Sequence, residues 1–187
     1  SHLPPLHTIA TAVACLFISE ALAQPTFTNS PALLPFTTHS GNCMAVTDMN
    51  GDGLDDIAVL DSRRFLRVMY QNIDGAFHGF NIGKLSNADQ WGMAVADMDN
   101  DGHKDVFTGG NGDGQHYRRI TAPGAATSGT AETYGMFMQN ISIGDIDNDG
   151  MLDVFGCHDT GMPRTWMNDG SGNLSIASYI DFASDPP

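Results

Sequence analysis

Apolar and polar residues alternate in short runs along most of the chain, and this period of two is typical of strands that bury a face. Runs at 44–46, 93–95 and 141–143 have apolar residues at their first and third positions. After a polar loop, each is followed by a second apolar run, at 57–60, 106–107 and 154–155. The pattern predicts pairs of strands joined by polar loops, and therefore an all-β fold.

The polar loop between the two runs occurs three times in the same register. Its pattern is Asp-x-Asp/Asn-x-Asp-Gly-x-x-Asp, and the copies cover residues 48–56, 97–105 and 145–153. Successive copies begin 49 and 48 residues apart. A fixed period of this length predicts a repeat protein, and it is the size of one four-stranded propeller blade.

The loop has the oxygen-rich chemistry of a calcium site. Ca²⁺ takes roughly six to eight oxygen ligands, and short side chains on alternate residues of a tight loop converge on one point. Glycine at the sixth position permits the sharp turn. The three loops predict about three Ca²⁺ ions, with ligands at positions one, three, five and nine and the backbone carbonyl of position seven. These candidate ligands are Asp48, Asn50, Asp52, Leu54 and Asp56; Asp97, Asp99, Asp101, His103 and Asp105; and Asp145, Asp147, Asp149, Met151 and Asp153.

An EF-hand is excluded by the residues that follow each loop. That motif needs a glutamate at its twelfth position, where this chain has Val59, Thr108 and Gly156. A metal-free acidic turn is the simpler alternative, because Asp, Asn and Gly are also common turn residues. Three copies in one register favour calcium, since clustered carboxylates repel one another without a cation. The first loop is the weakest candidate, because Asn50 replaces one carboxylate.

With these loops the chain resembles the FG-GAP and VCBS repeats, the calcium-loop blades of integrin-type β-propellers and of many secreted bacterial proteins. A later hairpin, at 72–77 in the first repeat and 168–174 in the third, adds to the resemblance. The resemblance implies β-propeller blades of four antiparallel strands, forming an incomplete ring or a fragment of a larger propeller. The second repeat departs from the pattern, because residues 115–119 are followed by a stretch rich in Gly, Ala and Thr.

The chain is strongly acidic, with 22 acidic residues, 8 basic residues and a formal charge of -14. Half of the acidic residues stand at candidate ligand positions, so metal sites account for much of the acidity. This charge argues against nucleic acid or an anionic membrane as the partner. We also expect no transmembrane segment, because the apolar run near the N-terminus is too short to span a bilayer.

Residues 1–23 are predicted to be a secretory signal peptide. The apolar run at 9–18 is followed by Ala21-Leu22-Ala23, a small-residue cleavage signal. Residues 24–187 then form the repeat region of a secreted or cell-surface protein. The alternative is that the segment is retained and packs within an assembly. Residues 24–40 are expected to form one or two short strands and a Pro-bounded loop.

The residues outside the acidic loops that could take part in catalysis form no recognisable catalytic motif. The histidines are scattered and the nucleophile-elbow pattern is missing, so we expect a non-enzymatic protein. Cys43 and Cys157 are predicted to be small buried residues, with a disulfide as the alternative. Four aromatic residues are candidates for a sugar platform or, more commonly, for packing between blades. They are Trp91, Tyr117, Tyr134 and Trp166.

Three functional hypotheses follow from these observations. The favoured one is an extracellular adhesion or binding module with structural calcium and a protein or glycan ligand. The second is a subunit of an extracellular filament or surface assembly, because open blade edges invite self-association. The third is part of a polysaccharide-active enzyme built on the same repeats, since a fold does not by itself determine a function.

Overall fold

The computed structural model describes residues 28–39, 43–159 and 161–177, so the predicted signal peptide lies outside the described residues. The described part of the chain contains a 3-10 helix at Pro31–Leu33, twelve strands and no α-helix. The strands are β1 (Met44–Thr47), β2 (Asp56–Asp61), β3 (Phe65–Gln71), β4 (Phe77–Lys84), β5 (Gln90–Ala96), β6 (Asp105–Gly110), β7 (Gln115–Ala122), β8 (Ala125–Glu132), β9 (Met138–Gly144), β10 (Asp153–His158), β11 (Arg164–Asn168) and β12 (Leu174–Ile176).

The twelve strands form three four-stranded sheets, each made of four strands consecutive in the chain. Blade 1 contains β1–β4, blade 2 contains β5–β8 and blade 3 contains β9–β12, and every paired strand is antiparallel to its neighbour. In each blade the acidic loop joins the first strand to the second. The predicted all-β fold with propeller blades of four antiparallel strands is confirmed.

Blade 2 buries residues on both of its faces, in cores that it shares with the two other blades. In β5, Met93 and Val95 pack into a core shared with blade 1. The residues between and beside them, Ala94 and Ala96, pack into a second core shared with blade 3. Successive side chains of a strand point to opposite faces, so one strand serves both cores.

The two cores hold neighbouring blades together. In the first, Leu60 and Val68 of blade 1 pack with Val106 and Ile120 of blade 2, and all four side chains are fully buried. In the second, the rings of Phe107 and Trp166 lie with centroids 5.5 Å apart across the blade 2–blade 3 seam. Burying a large apolar side chain stabilises a fold by about 1.5–3 kcal/mol, so these seams carry much of the stability.

The outer strands of blade 2 form although the predicted hairpin signal is missing there. β7 ends at Ala122 and β8 begins at Ala125, so Pro123 and Gly124 make the turn. The Gly-, Ala- and Thr-rich stretch is therefore an outer strand, and its small side chains fit the close approach of Tyr117 to Gly129.

Two predictions about local structure are wrong. The described part of the segment at 24–40 contains a 3-10 helix at Pro31–Leu33 and no strand, because Pro31 fixes the first turn of that helix. Cys43 is buried as predicted, but Cys157 is exposed, since its position on β10 lies on the face directed away from blade 2. No disulfide joins Cys43 to Cys157, so the alternative of a disulfide between them is wrong.

Candidate metal centre

The acidic loops at 48–56, 97–105 and 145–153 are called loops 1, 2 and 3. In each of them, backbone N–H groups donate to the carboxylate at the first position. In loop 2, Asp97 accepts hydrogen bonds from the backbone N–H groups of Asp101 at 3.1 Å and Gly102 at 3.0 Å. Gly102 takes φ +92°, a left-handed conformation that residues with a Cβ resist. The carboxylate of Asp97 and the glycine at the sixth position thus determine the shape of the loop.

The other two loops repeat this arrangement. Asp48 accepts from Gly53 at 2.8 Å in loop 1, and Asp145 accepts from Gly150 at 3.1 Å in loop 3. The hydrogen bond from Gly53, with others from the same loop, lowers the pKa of Asp48 below its usual value. The carboxylate of Asp48 therefore stays charged, as a metal ligand must.

The residues at position seven are oriented by the aspartate at position five. Leu54, His103 and Met151 each donate their backbone N–H to that carboxylate at 2.8 Å. Their expected role as carbonyl ligands stays a prediction.

The aspartate at position nine has a structural role that the sequence reasoning missed. Asp105 is the first residue of β6 and is completely buried. One of its oxygens accepts from the Met98 N–H at 3.0 Å and the other from the Ile120 N–H at 2.9 Å. It therefore ties the loop to the third strand of the blade, and any metal contact would have to use the remaining lone pairs of these oxygens.

Blades 1 and 3 repeat this tie with the same geometry. Asp56 accepts from Met49 and Gln71, both at 2.8 Å, and Asp153 accepts from Ile146 and Asn168, both at 2.9 Å. A signal was present in the sequence, because all three aspartates lie 15 residues before their partner on the third strand.

Loop 2 brings its carboxylates into one cluster. Oxygen atoms of Asp97, Asp99 and Asp105 all lie within 4.8 Å of one another. Burial, with a smaller contribution from the charges of Asp99 and Asp101, raises the pKa of Asp105 to about 7. Burial, together with the charges of Asp101 and Asp97, also raises the pKa of Asp99. These anions disfavour one another, and a bound cation would remove that cost.

A buried carboxylate oxygen in loop 2 is compatible with a hard cation at this site. Oδ1 of Asp99 is buried and has no hydrogen-bond partner among the described residues. A buried acceptor without a partner is rare and costs free energy. An all-oxygen donor set that includes such an acceptor suits Ca²⁺ better than a softer transition metal.

Loops 1 and 3 differ from loop 2 in this respect. In loop 3, oxygen atoms of Asp145, Asp147 and Asp149 also lie within 4.8 Å of one another, but all three residues are exposed. In the described part of loop 1 no three carboxylates come this close. Asn50 instead donates its side-chain amide to the Asp52 carboxylate at 3.0 Å, so a hydrogen bond within the loop replaces the repulsion between two carboxylates. The structure thus brings three of the predicted carboxylate ligands together in loop 2 and three in loop 3, and the clusters do not include Asp101 or Asp153.

Hydrogen bonds link neighbouring loops across the blade seams, and no sequence pattern predicted them. Lys104 donates its side chain to the Asp48 carbonyl at 2.7 Å and its backbone N–H to the Met49 carbonyl at 2.8 Å. Asn168 of blade 3 donates its side-chain amide to the Met98 carbonyl of loop 2 at 2.6 Å. The three loops therefore lie side by side at one end of the blades.

Comparisons with known proteins agree with this architecture. No described helix has the length and apolar character needed to cross a membrane. Curated protein sequences contain no match to the chain. Residues 48–108, from loop 1 through the outer strands of blade 1 to loop 2 and most of β6, match the family model of the FG-GAP-like repeat. Repeats of this kind are typical of extracellular binding modules. The predicted resemblance to FG-GAP repeats is confirmed over this segment.

Proposed function

We propose that the protein is a secreted or cell-surface binding module whose blades are stabilised by structural calcium, with loop 2 as the principal site. The observation that carries this proposal is the loop 2 cluster, in which Asp97, Asp99 and Asp105 converge and one buried oxygen of Asp99 has no partner. When bound, Ca²⁺ supplies positive charge that allows the carboxylates to lie together as anions.

The residues of loop 2 would transmit this effect to the fold. Asp105 joins the loop to β6 and β7 through Met98 and Ile120. Met98 itself is buried in the core between blades 2 and 3, and its carbonyl is held by Asn168. An ion in loop 2 would therefore strengthen a blade and the seam next to it. The ligand of the module is an extracellular protein or a glycan.

The magnitude of the effect follows from mass action. Extracellular calcium modules bind with Kd values of about 10⁻⁴ M, and millimolar calcium then stabilises the folded state by about 1–2 kcal/mol per site. Several such sites would shift the melting temperature by several degrees, since about 1 kcal/mol shifts a domain of this size by roughly 2–4 °C.

Calorimetric titration of the metal-stripped protein with CaCl₂, together with thermal melting in calcium and in chelator, tests the proposal. We expect heat of binding and a higher melting temperature in calcium, with a smaller effect of Mg²⁺, which demands tighter octahedral geometry. A folded protein that shows no binding heat and melts at the same temperature in both buffers would refute the proposal.

A further inference from the structure

A cleft lies at the end of blade 3 opposite the acidic loops. It has a volume of about 440 Å³ and is bounded by the segment that leads into β9, the β10–β11 turn and the last residues of β12. Its walls include Tyr134, Met136, Arg164, Thr165 and Ile176. The volume is within the range of about 300–1,000 Å³ that is common for small-ligand sites.

The corresponding place on blade 2 is closed by a side chain. There Asp113, in the β6–β7 turn, accepts hydrogen bonds from the Ser86 hydroxyl at 2.9 Å and the Asn87 N–H at 2.6 Å. Both blades also join this turn to the preceding segment through the backbone, by Asn111 N–H to the Asp89 carbonyl at 3.3 Å in blade 2 and by Asp159 N–H to the Phe137 carbonyl at 2.9 Å in blade 3. At the place of Asp113, however, blade 3 has Gly161, which has no side chain to close the space. The cleft is thus a feature of blade 3 that blade 2 does not share.

One polar group of the cleft lining has unused hydrogen-bonding capacity. Thr165 is only 3% exposed, and its hydroxyl has no partner among the described residues. Beside it, Arg164 also lines the cleft and is paired with Glu132 at 3.5 Å. Buried polar atoms are normally hydrogen-bonded, so the Thr165 hydroxyl indicates a ligand that supplies a hydroxyl or amide group.

The remaining wall is apolar and aromatic. Tyr134 is 61% exposed, and the guanidinium of Arg164 lies 5.9 Å from its ring centroid. Met136 and Ile176 add aliphatic surface. Of the four aromatic residues considered for a sugar platform, Tyr117 and Trp166 are buried in the core between blades, whereas Tyr134 lines the cleft.

The charges at the cleft compensate each other, because Arg164 is paired with Glu132. A charged ligand would therefore gain little here, and an uncharged one with an apolar face and hydroxyl groups on its edge fits best. We propose that this cleft binds a neutral sugar residue of a glycan, with Tyr134 against the ring face and Thr165 hydrogen-bonded to a hydroxyl. The inference rests on the proposed function as a binding module and assigns its ligand class and position.

Saturation-transfer NMR on the calcium-loaded full chain tests this assignment, with the methyl glycosides of glucose, galactose, mannose and N-acetylglucosamine as probes. We expect transfer to at least one glycoside, its loss in Tyr134→Ala, and binding weakened about tenfold in Thr165→Val, which keeps the shape but removes the hydroxyl. Ile73→Ala is the control, because Ile73 is 97% exposed in the β3–β4 turn of another blade, and it should bind as the wild type does.

Two results would overturn the inference. One is no transfer to any of the four probes; the other is transfer that both cleft variants leave unchanged, which would locate binding elsewhere. Thermal melting of the same samples with and without calcium separates this test from the proposed function. A retained calcium shift without a sugar signal removes only the cleft assignment, whereas a missing calcium shift counts against the calcium-stabilised module whatever the sugar result.

Discussion

Loops 1 and 2 share a register and a backbone conformation, yet they satisfy their carboxylates in different ways. In loop 1, Asn50 donates to Asp52, and the acids are held by hydrogen bonds within the loop. In loop 2, Asp99 stands at the position of Asn50, and one of its oxygens is buried without a described partner. The replacement of one carboxylate by an amide thus distinguishes loop 1, whose side chains are hydrogen-bonded within the loop, from loop 2, which retains a buried oxygen without a described partner.

The comparison also shows what the loops have in common. Asp56 and Asp105 each use both carboxylate oxygens to accept backbone N–H groups from their own blade. This tie does not depend on metal, because its donors are backbone amides. We therefore expect the position-nine aspartate to stabilise every blade, and we propose that the residue at position three distinguishes the calcium responses of loops 1 and 2.

The largest effect should come from the position-nine aspartate, whose two hydrogen bonds from backbone N–H groups occur in both loops. Asp105→Asn replaces one accepting oxygen with an amide that cannot accept, and so leaves a buried N–H unpaired. We expect a loss of about 2–3 kcal/mol in the free energy of unfolding, with or without calcium, measured by urea unfolding. Asp56→Asn should cost a similar amount.

The exposed neighbour Asp55 provides the matched control for this test. Asp55→Asn removes the same charge without a buried bond and should change the stability by less than about 0.5 kcal/mol. A loss in Asp105→Asn no larger than in this control would contradict the structural role of position nine.

The next effect should come from making loop 2 resemble loop 1. Asp99→Asn removes a repelling carboxylate and introduces a donor, so we expect higher stability in chelator and a calcium-dependent stabilisation reduced by about 1 kcal/mol. Melting curves in calcium and in chelator measure both changes. An undiminished calcium shift in this variant would show that loop 2 is not the principal site.

The reverse change sharpens the comparison. Asn50→Asp should make loop 1 less stable in chelator and add calcium-dependent stabilisation of about 1 kcal/mol. Asn81→Asp, on an exposed position of β4, adds the same charge away from the loops. The prediction fails if both variants respond equally to calcium.

The smallest effect should come from the contact between the two loops. Lys104→Met keeps the aliphatic stem but removes the hydrogen bond from the ammonium group to the Asp48 carbonyl. We expect a loss of about 0.5–1.5 kcal/mol in urea unfolding, because the backbone hydrogen bond of residue 104 to Met49 remains. Stability equal to the wild type would show that this side chain adds nothing to the seam.

Local sequence patterns were enough to predict the strands of a blade, the spacing of the repeats and the turn of the acidic loop. The strand–loop–strand unit, the sixth-position glycine and the weakness of loop 1 at Asn50 all depend on residues near one another in the chain. These features are governed by backbone conformation and by side chains a few residues apart, so a single sequence contains them. The calcium ions themselves, the signal peptide and secretion stay predictions from the same patterns.

Only the tertiary structure decided which of the equivalent positions in the three repeats are buried and which are exposed. Met49 and Met98, at the second position of loops 1 and 2, are buried in the cores between blades, while Ile146 in loop 3 is 38% exposed. The pattern is identical at all three positions, but burial requires a neighbouring blade to cover the side chain. The exposure of Cys157 and the cleft on blade 3 depend in the same way on contacts between distant segments, which local sequence patterns do not record.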